Sequence, residues 1–249
     1  MSRFIAGYRS QYYAPEEAVS THPLHMLATL GHFQIFKQAL DGDMGKINLQ
    51  TSLVRSTPVI LAASAGHVEI TRYLLQHGAD PSIPNWYGNA LHCAADANTP
   101  STITLLLDAG MHPDTRTSTG ATPLWCTTIH DAAEAAAVLL SRGADPININ
   151  SKRKTNLLIA AVQYQCPRLV SLVLSRKCVD VEIVSGYFKT TALRAATLIL
   201  HAEIILLLAD ATADPAAAEF SRRVATLIQN VPVALRDDVE EQVWGMYEK

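Results

Sequence analysis

The feature that most constrains this chain is an internal repeat of about 33 residues. Its clearest copy runs STPVILAASAGHVEITRYLLQHGADP, from Ser56 to Pro81. With Thr57 as origin, later copies start at Asn89 (NALHCAA), Thr122 (TPLWCTT), Thr155 (TNLLIAA) and Thr191 (TALRAAT). An earlier copy starts at His22 (HPLHMLA), and successive starts lie 35, 32, 33, 33 and 36 residues apart. A second landmark keeps the same register: Gly78-Ala79-Asp80-Pro81 recurs as Gly110-Met111-His112-Pro113 and as Gly143-Ala144-Asp145-Pro146. One unit of this length cannot bury its own apolar face, so its core has to come from stacking against neighbours.

Within a unit the residue types read as two short helices and a turn. Thr57 and Thr122 are suited to cap a helix N-terminus, and Pro58 and Pro123 follow at the first helical position, where a missing N–H costs nothing. The small pair Ala62-Ala63, repeated as Ala94-Ala95 and Ala160-Ala161, lets neighbouring first helices approach closely. Gly31 and Gly66 close the first helix, and Gly78, Gly110 and Gly143 close the second. The second helix is expected to bury Ile70, Tyr73 and Leu74 in the second unit, Thr102, Leu105 and Leu106 in the third, and Val138, Leu139 and Leu140 in the fourth. The Asp-Pro after it opens a projecting turn.

The T-P-L-H-x-A-like starts and the spacing resemble the ankyrin repeat, over roughly Thr21 to Pro215. The resemblance implies an all-α helical repeat solenoid of about six repeats with finger turns. The organisation expected is residues 1–20 as an N-terminal arm or cap, 21–215 as repeats and 216–249 as a C-terminal helical cap. In the arm, Phe4, Tyr8, Tyr12 and Tyr13 stand out; in the cap, Phe220, Val224, Leu227 and Ile228 fall at helical spacing before Pro232, and a further helix is expected over 233–247. The fifth and sixth repeats depart from the pattern, with Asn156 and Ala192 in place of Pro and Tyr164 at a turn-glycine position.

Composition narrows the function classes. Apolar residues make up 49% and charged residues 17%, which excludes a largely disordered chain. The net charge of -3 supplies no basic field, so nucleic acid is not expected as a partner. The apolar stretch from Ala192 to Ala213 is interrupted by Arg194, His201, Glu203 and Asp210 and is expected to form two buried helices rather than a membrane span. Cys93, Cys126, Cys166 and Cys178 show no C-x-x-C spacing, which fits a reduced cytoplasmic or nuclear setting.

No catalytic motif, metal set or cofactor fingerprint emerges. Gly42-Asp43-Met44-Gly45-Lys46 lacks the spacing and the Ser/Thr of a phosphate loop. Cys126 and His130 share a helix side and Cys93 takes the matching place one repeat earlier, too few ligands for zinc. His25 and His92 fall at the histidine of T-P-L-H, where the resemblance implies that they tie loop backbone together.

The resemblance implies a protein–protein interaction module that binds through its concave face: the finger tips and the exposed side of the first helices. In that register the candidates are Trp86, Tyr87, Asp96, His130, Arg153, Lys154 and Tyr164. Aromatics and Arg dominate interface hot spots, and Lys152-Arg153-Lys154 points to an acidic segment in the partner. Two other readings stand beside it. One is a small-ligand or enzymatic pocket drawing on His130, Asp96, Cys126, Trp125 and Tyr164. The other is an adaptor that recruits a second protein through its C-terminal helices. Trp125, in place of the usual histidine, is also suited simply to pack.

Overall fold

The computed structural model describes residues 22–184, 191–199 and 201–230. The expected N-terminal arm, the last helix (233–247) and the finger aromatics Tyr187 and Phe188 lie outside the described residues. Thirteen α-helices and no strand occur among those described. They are α1 (Pro23–Leu30), α2 (Phe33–Asp41), α3 (Pro58–Ser64), α4 (Val68–Gln76), α5 (Ala90–Asp96), α6 (Pro100–Asp108), α7 (Pro123–Cys126), α8 (Ala133–Ser141), α9 (Leu157–Gln163), α10 (Pro167–Arg176), α11 (Ala192–Leu198), α12 (Ala202–Ala209) and α13 (Pro215–Asn230). The expected all-α repeat solenoid is what forms.

The chain divides into two compact units. The first takes the described residues through Thr127 together with Glu134–Ala144; the second takes Thr128–Ala133 and the described residues from Asp145 onward. In the first unit α1, α3, α5 and α7 pack in sequence as one row, and α2, α4 and α6 as another. In the second, α9 packs on α10 and α11, α11 on α12, and α13 lies against α12 and α11. The apolar stretch at 192–213 is split into α11 and α12, and no described helix is long and apolar enough to cross a membrane.

Caps start the first helices. Thr57 and Thr122 accept from the N–H of Ile60 (3.4 Å) and of Trp125 (3.3 Å). Asn89 forms a reciprocal capping box with His92, and His22 caps through Nδ1. Each such cap contributes about 1 kcal/mol. The turn that follows is left-handed in the first five copies, at Gly31, Gly66, Asn98, Asp131 and Gln165. At Gly31 the glycine has a second reason. A Cβ there would lie 2.4 Å from the His67 ring of the next repeat, and that imidazole donates through Nε2 to the Thr29 carbonyl (2.8 Å).

Two expectations need correction. In the fourth repeat the second helix buries Ala135, Ala136 and Leu139, while Val138 and Leu140 are only half-buried. These match Ile70, Thr71 and Leu74 in the second repeat and Thr102, Ile103 and Leu106 in the third, where Leu105, expected in the core, is likewise only half-buried; the buried face is set by repeat register rather than by the most apolar run.

The fifth repeat starts one residue later than expected. Its cap is Asn156, whose Oδ1 accepts from Ile159 N–H at 2.8 Å, not Thr155. With that origin the left-handed turn falls on Gln165 (φ 57) nine residues on, as at Gly66 and Asn98, so Tyr164 is the last helical-side residue and not the turn. An Asn side chain caps as well as Thr.

Candidate functional site

The finger loops are closed by their own backbone. Thr51 N–H donates to Ser56 O (2.9 Å), Asn85 to Gly88 (2.8 Å), Thr117 to Ala121 (2.9 Å) and Ile149 to Thr155 (3.2 Å). Neighbouring fingers of the first unit are tied together as well. Trp86 N–H donates to Val54 O (3.3 Å), Gln50 Nε2 to Pro84 O (3.2 Å), Asn85 Nδ2 to Ser56 Oγ (3.0 Å), and Asp80 N–H to Asn48 Oδ1 (2.9 Å). Asn85 also takes the N–H groups of Tyr87 (2.8 Å) and Gly88 (2.9 Å) on its Oδ1, which fixes the bend that carries both aromatics. Gly88 lies at φ 150, and a Cβ there would sit 2.7 Å from His92 Cβ, so the position takes glycine.

On this frame the predicted residues fall as follows. Trp86 is 69% exposed, the most open large apolar side chain among those described. Tyr87 is half-buried beside it, and Asp96 is half-buried at the end of α5. These three belong to the first unit. His130, Arg153, Lys154 and Tyr164 belong to the second. There His130, Arg153 and Lys154 are exposed and Tyr164 is half-buried. Asn150 Oδ1 accepts from Lys152 N–H (3.1 Å) and Arg153 N–H (3.0 Å), and its carbonyl from Lys154 N–H (2.8 Å), so the basic finger has a set turn with Lys154 at φ 50. In the corrected register Tyr164 occupies the same repeat position as Ala65, Ala97 and His130, eight residues after the cap; His130 lies in the turn beyond α7, which ends at Cys126, so His130 and Cys126 do not share a helix, contrary to expectation.

Four other finger and helix-face positions are closed off. Ser56, Gly88, Ala121 and Val162 are buried, each because it closes a loop or stacks against a neighbour. Trp125 is 7% exposed, so it packs. Sequence reasoning passed over Leu53, which is 56% exposed, and Arg55, whose φ of 60 turns the first finger. The available signal was their position between the two residues, Thr51 and Ser56, that close that finger.

The titratable groups within the first unit serve structure. His92 is buried; its Nε2 donates to Ala121 O at 3.2 Å, and burial lowers its pKa to about 4. His25 Nε2 reaches Leu49 O at 2.7 Å in the same way, and burial lowers its pKa too. Both therefore tie loop backbone, as the resemblance implied. Burial pushes the Cys93 thiol up to about 12, helped by the Asp96 carboxylate, and holds Cys126 well above its ordinary value for the same two reasons. Neither supplies a thiolate near neutral pH. No group of three or more His, Cys, Asp or Glu side chains suited to a metal occurs among the described residues.

Residues 24–117 match the family model for ankyrin repeats, in three copies. The B-cell lymphoma 3 protein homolog of Mus musculus is 31% identical over 126 residues, 49% of this chain and 28% of that protein. The chain thus spans little more than a quarter of that curated relative. Among solved structures, the human ASB11 ankyrin repeat domain superposes with a TM-score of 0.70 at 20% identity, covering 86% of this chain and 100% of that one. The ankyrin repeat domain of Bcl-3, a member of the IkappaB protein family, gives 0.68 at 24% identity, covering 84% and 99%. At these identities the structural likeness speaks to the fold.

Proposed function

We propose that the chain, which matches the ankyrin-repeat model over residues 24–117, works as a protein-binding module whose contacts lie on the exposed fingers and at the ends of the first helices and the turns that follow them. Trp86, Tyr87 and Asp96 serve in the first unit, and His130, Arg153, Lys154 and Tyr164 in the second. The observation that carries this reading is Trp86. A tryptophan left 69% exposed, on a loop held by backbone and side-chain hydrogen bonds on both sides, gains little for folding and is suited to a partner. The basic finger of the second unit fits an acidic segment in that partner.

The chain is read here as non-catalytic. Of the residues a reactive pocket would draw on, Trp125 and Cys126 are buried, and burial keeps the Cys126 thiol protonated.

Affinity capture with the full chain, quantified by mass spectrometry, tests the reading against Trp86→Ala and Arg153→Glu. Both side chains are exposed, so both variants should keep the wild-type circular dichroism and thermal midpoint. A captured protein lost from either variant supports the proposal. Retention of every captured protein by both variants removes these residues from the binding surface.

A further inference from the structure

The first two fingers are joined to each other at four points, one of them the Asp80 N–H on Asn48 Oδ1. Gln50 is the hub. Its Nε2 donates to Arg55 O (3.0 Å) within its own finger and to Pro84 O (3.2 Å) in the next, while its Oε1 accepts from Arg55 Nε (3.3 Å) and Nη2 (3.1 Å). The Val54 carbonyl takes Trp86 N–H, and Ser56 takes Asn85. The result is a platform whose backbone is set before any partner arrives, so ordering costs on binding are small. Leu53 and Trp86 stand exposed on it, 56% and 69%.

Arg55 has no acid close to it in sequence. No Asp or Glu occurs between Met44 and Val68 or between Pro81 and Ala95. Of the acids that border these stretches, Asp43 pairs with Lys46 at 2.9 Å, Asp80 Oδ1 accepts from Ser82 N–H (2.8 Å) and Oγ–H (2.6 Å), and Glu69 and Asp96 lie on α4 and α5 rather than in the finger loops. Arg55 is exposed and held in place by a neutral amide, with no carboxylate in ion-pair reach among the described residues. The third finger adds one charge of each sign, Asp114 and Arg116. Two exposed apolar side chains beside one oriented, uncompensated guanidinium call for an apolar residue next to a carboxylate.

We propose that the first two fingers form a preset anchor for an extended acidic segment of a partner protein, with an apolar side chain seated on Leu53 and Trp86 and a carboxylate on Arg55. This rests on the interaction reading above and names the class of segment bound in the first unit.

The test uses the immobilised full chain and two synthetic pools of dodecapeptides. Both carry a central Leu, Phe or Trp; one has Asp or Glu on either side, the other Lys or Arg. A single-stranded DNA dodecamer of mixed sequence is the third probe. The acidic pool should be retained over the basic pool, and its binding should weaken as salt rises. Trp86→Ala should reduce retention about 30-fold, a hot-spot loss. Arg55→Gln should abolish the preference for acid while leaving residual apolar binding. Equal retention of both pools, an unchanged preference in Arg55→Gln, or preferential retention of the DNA each overturns the proposal. Failure here is distinguishable from failure of the broader reading, because Arg153→Glu acts in the second unit. A captured protein lost on Arg153→Glu but kept by Trp86→Ala leaves the interaction module standing and removes this anchor.

Discussion

Replacing His92 by Gln should flatten the acid dependence of stability. His92 is 2% exposed, donates through Nε2 to Ala121 O, and completes the capping box at Asn89. Burial lowers its pKa from 6.5 to about 4. Between those values the unfolded chain binds a proton that the folded chain does not, so folding stability falls as pH drops from 6.5 and the loss is complete near pH 4. The gap of about 2.5 pH units corresponds to roughly 3 kcal/mol at 1.36 kcal/mol per unit. His25, buried with its Nε2 on Leu49 O, adds to the loss in the same direction. At neutral pH, His92→Gln should itself cost about 1–3 kcal/mol, because the Ala121 carbonyl loses its buried donor. Urea unfolding followed by circular dichroism at pH 7.5, 6.5, 5.5 and 4.5 measures both effects. The variant should start less stable and converge on wild type as the pH falls. A constant gap between the two across the whole range would refute the assignment of a neutral, buried His92.

Two further outcomes follow from local geometry. Asn156→Ala should lower the urea midpoint by the equivalent of about 1 kcal/mol while Thr155→Ala, whose hydroxyl caps nothing, costs less; the reverse order would restore the earlier register of the fifth repeat. Cys93, raised to about 12 by burial and by Asp96, should resist iodoacetamide at pH 7.5 in the native chain and react once it is unfolded in urea, as mass spectrometry of the labelled peptides would show; prompt native labelling would contradict its setting.

Much of the fold was legible because ankyrin units carry their instructions locally. Thr57, Pro58 and Gly66 specify a helix start and its stop within ten residues, and the copies repeat that information. The fifth repeat shows the limit. Thr155 and the Ala160-Ala161 pair suggested one origin, yet Asn156 offers an equally good cap, and what decides between them is where the turn at Gln165 must fall. Of the candidate residues, Trp86, Arg153 and Lys154 were nominated by register alone, and each is exposed. Leu53 and Arg55 were missed, since no motif marks the tip of a finger.

The sequence by itself determined that the chain is a helical repeat array, where its first helices begin in all but the fifth repeat, and that His25 and His92 tie its loops. Those features depend on contacts within a unit or with the next copy at a constant spacing. Tertiary structure decided what is open and what is closed: that Trp125 is buried and Trp86 is not, that Ala135 and Ala136 rather than Val138 and Leu140 face the core, and that Gln50 joins two fingers. Exposure belongs to the stack and not to the residue, because each face of a repeat is covered or left bare by a neighbour that lies some thirty residues away in the chain.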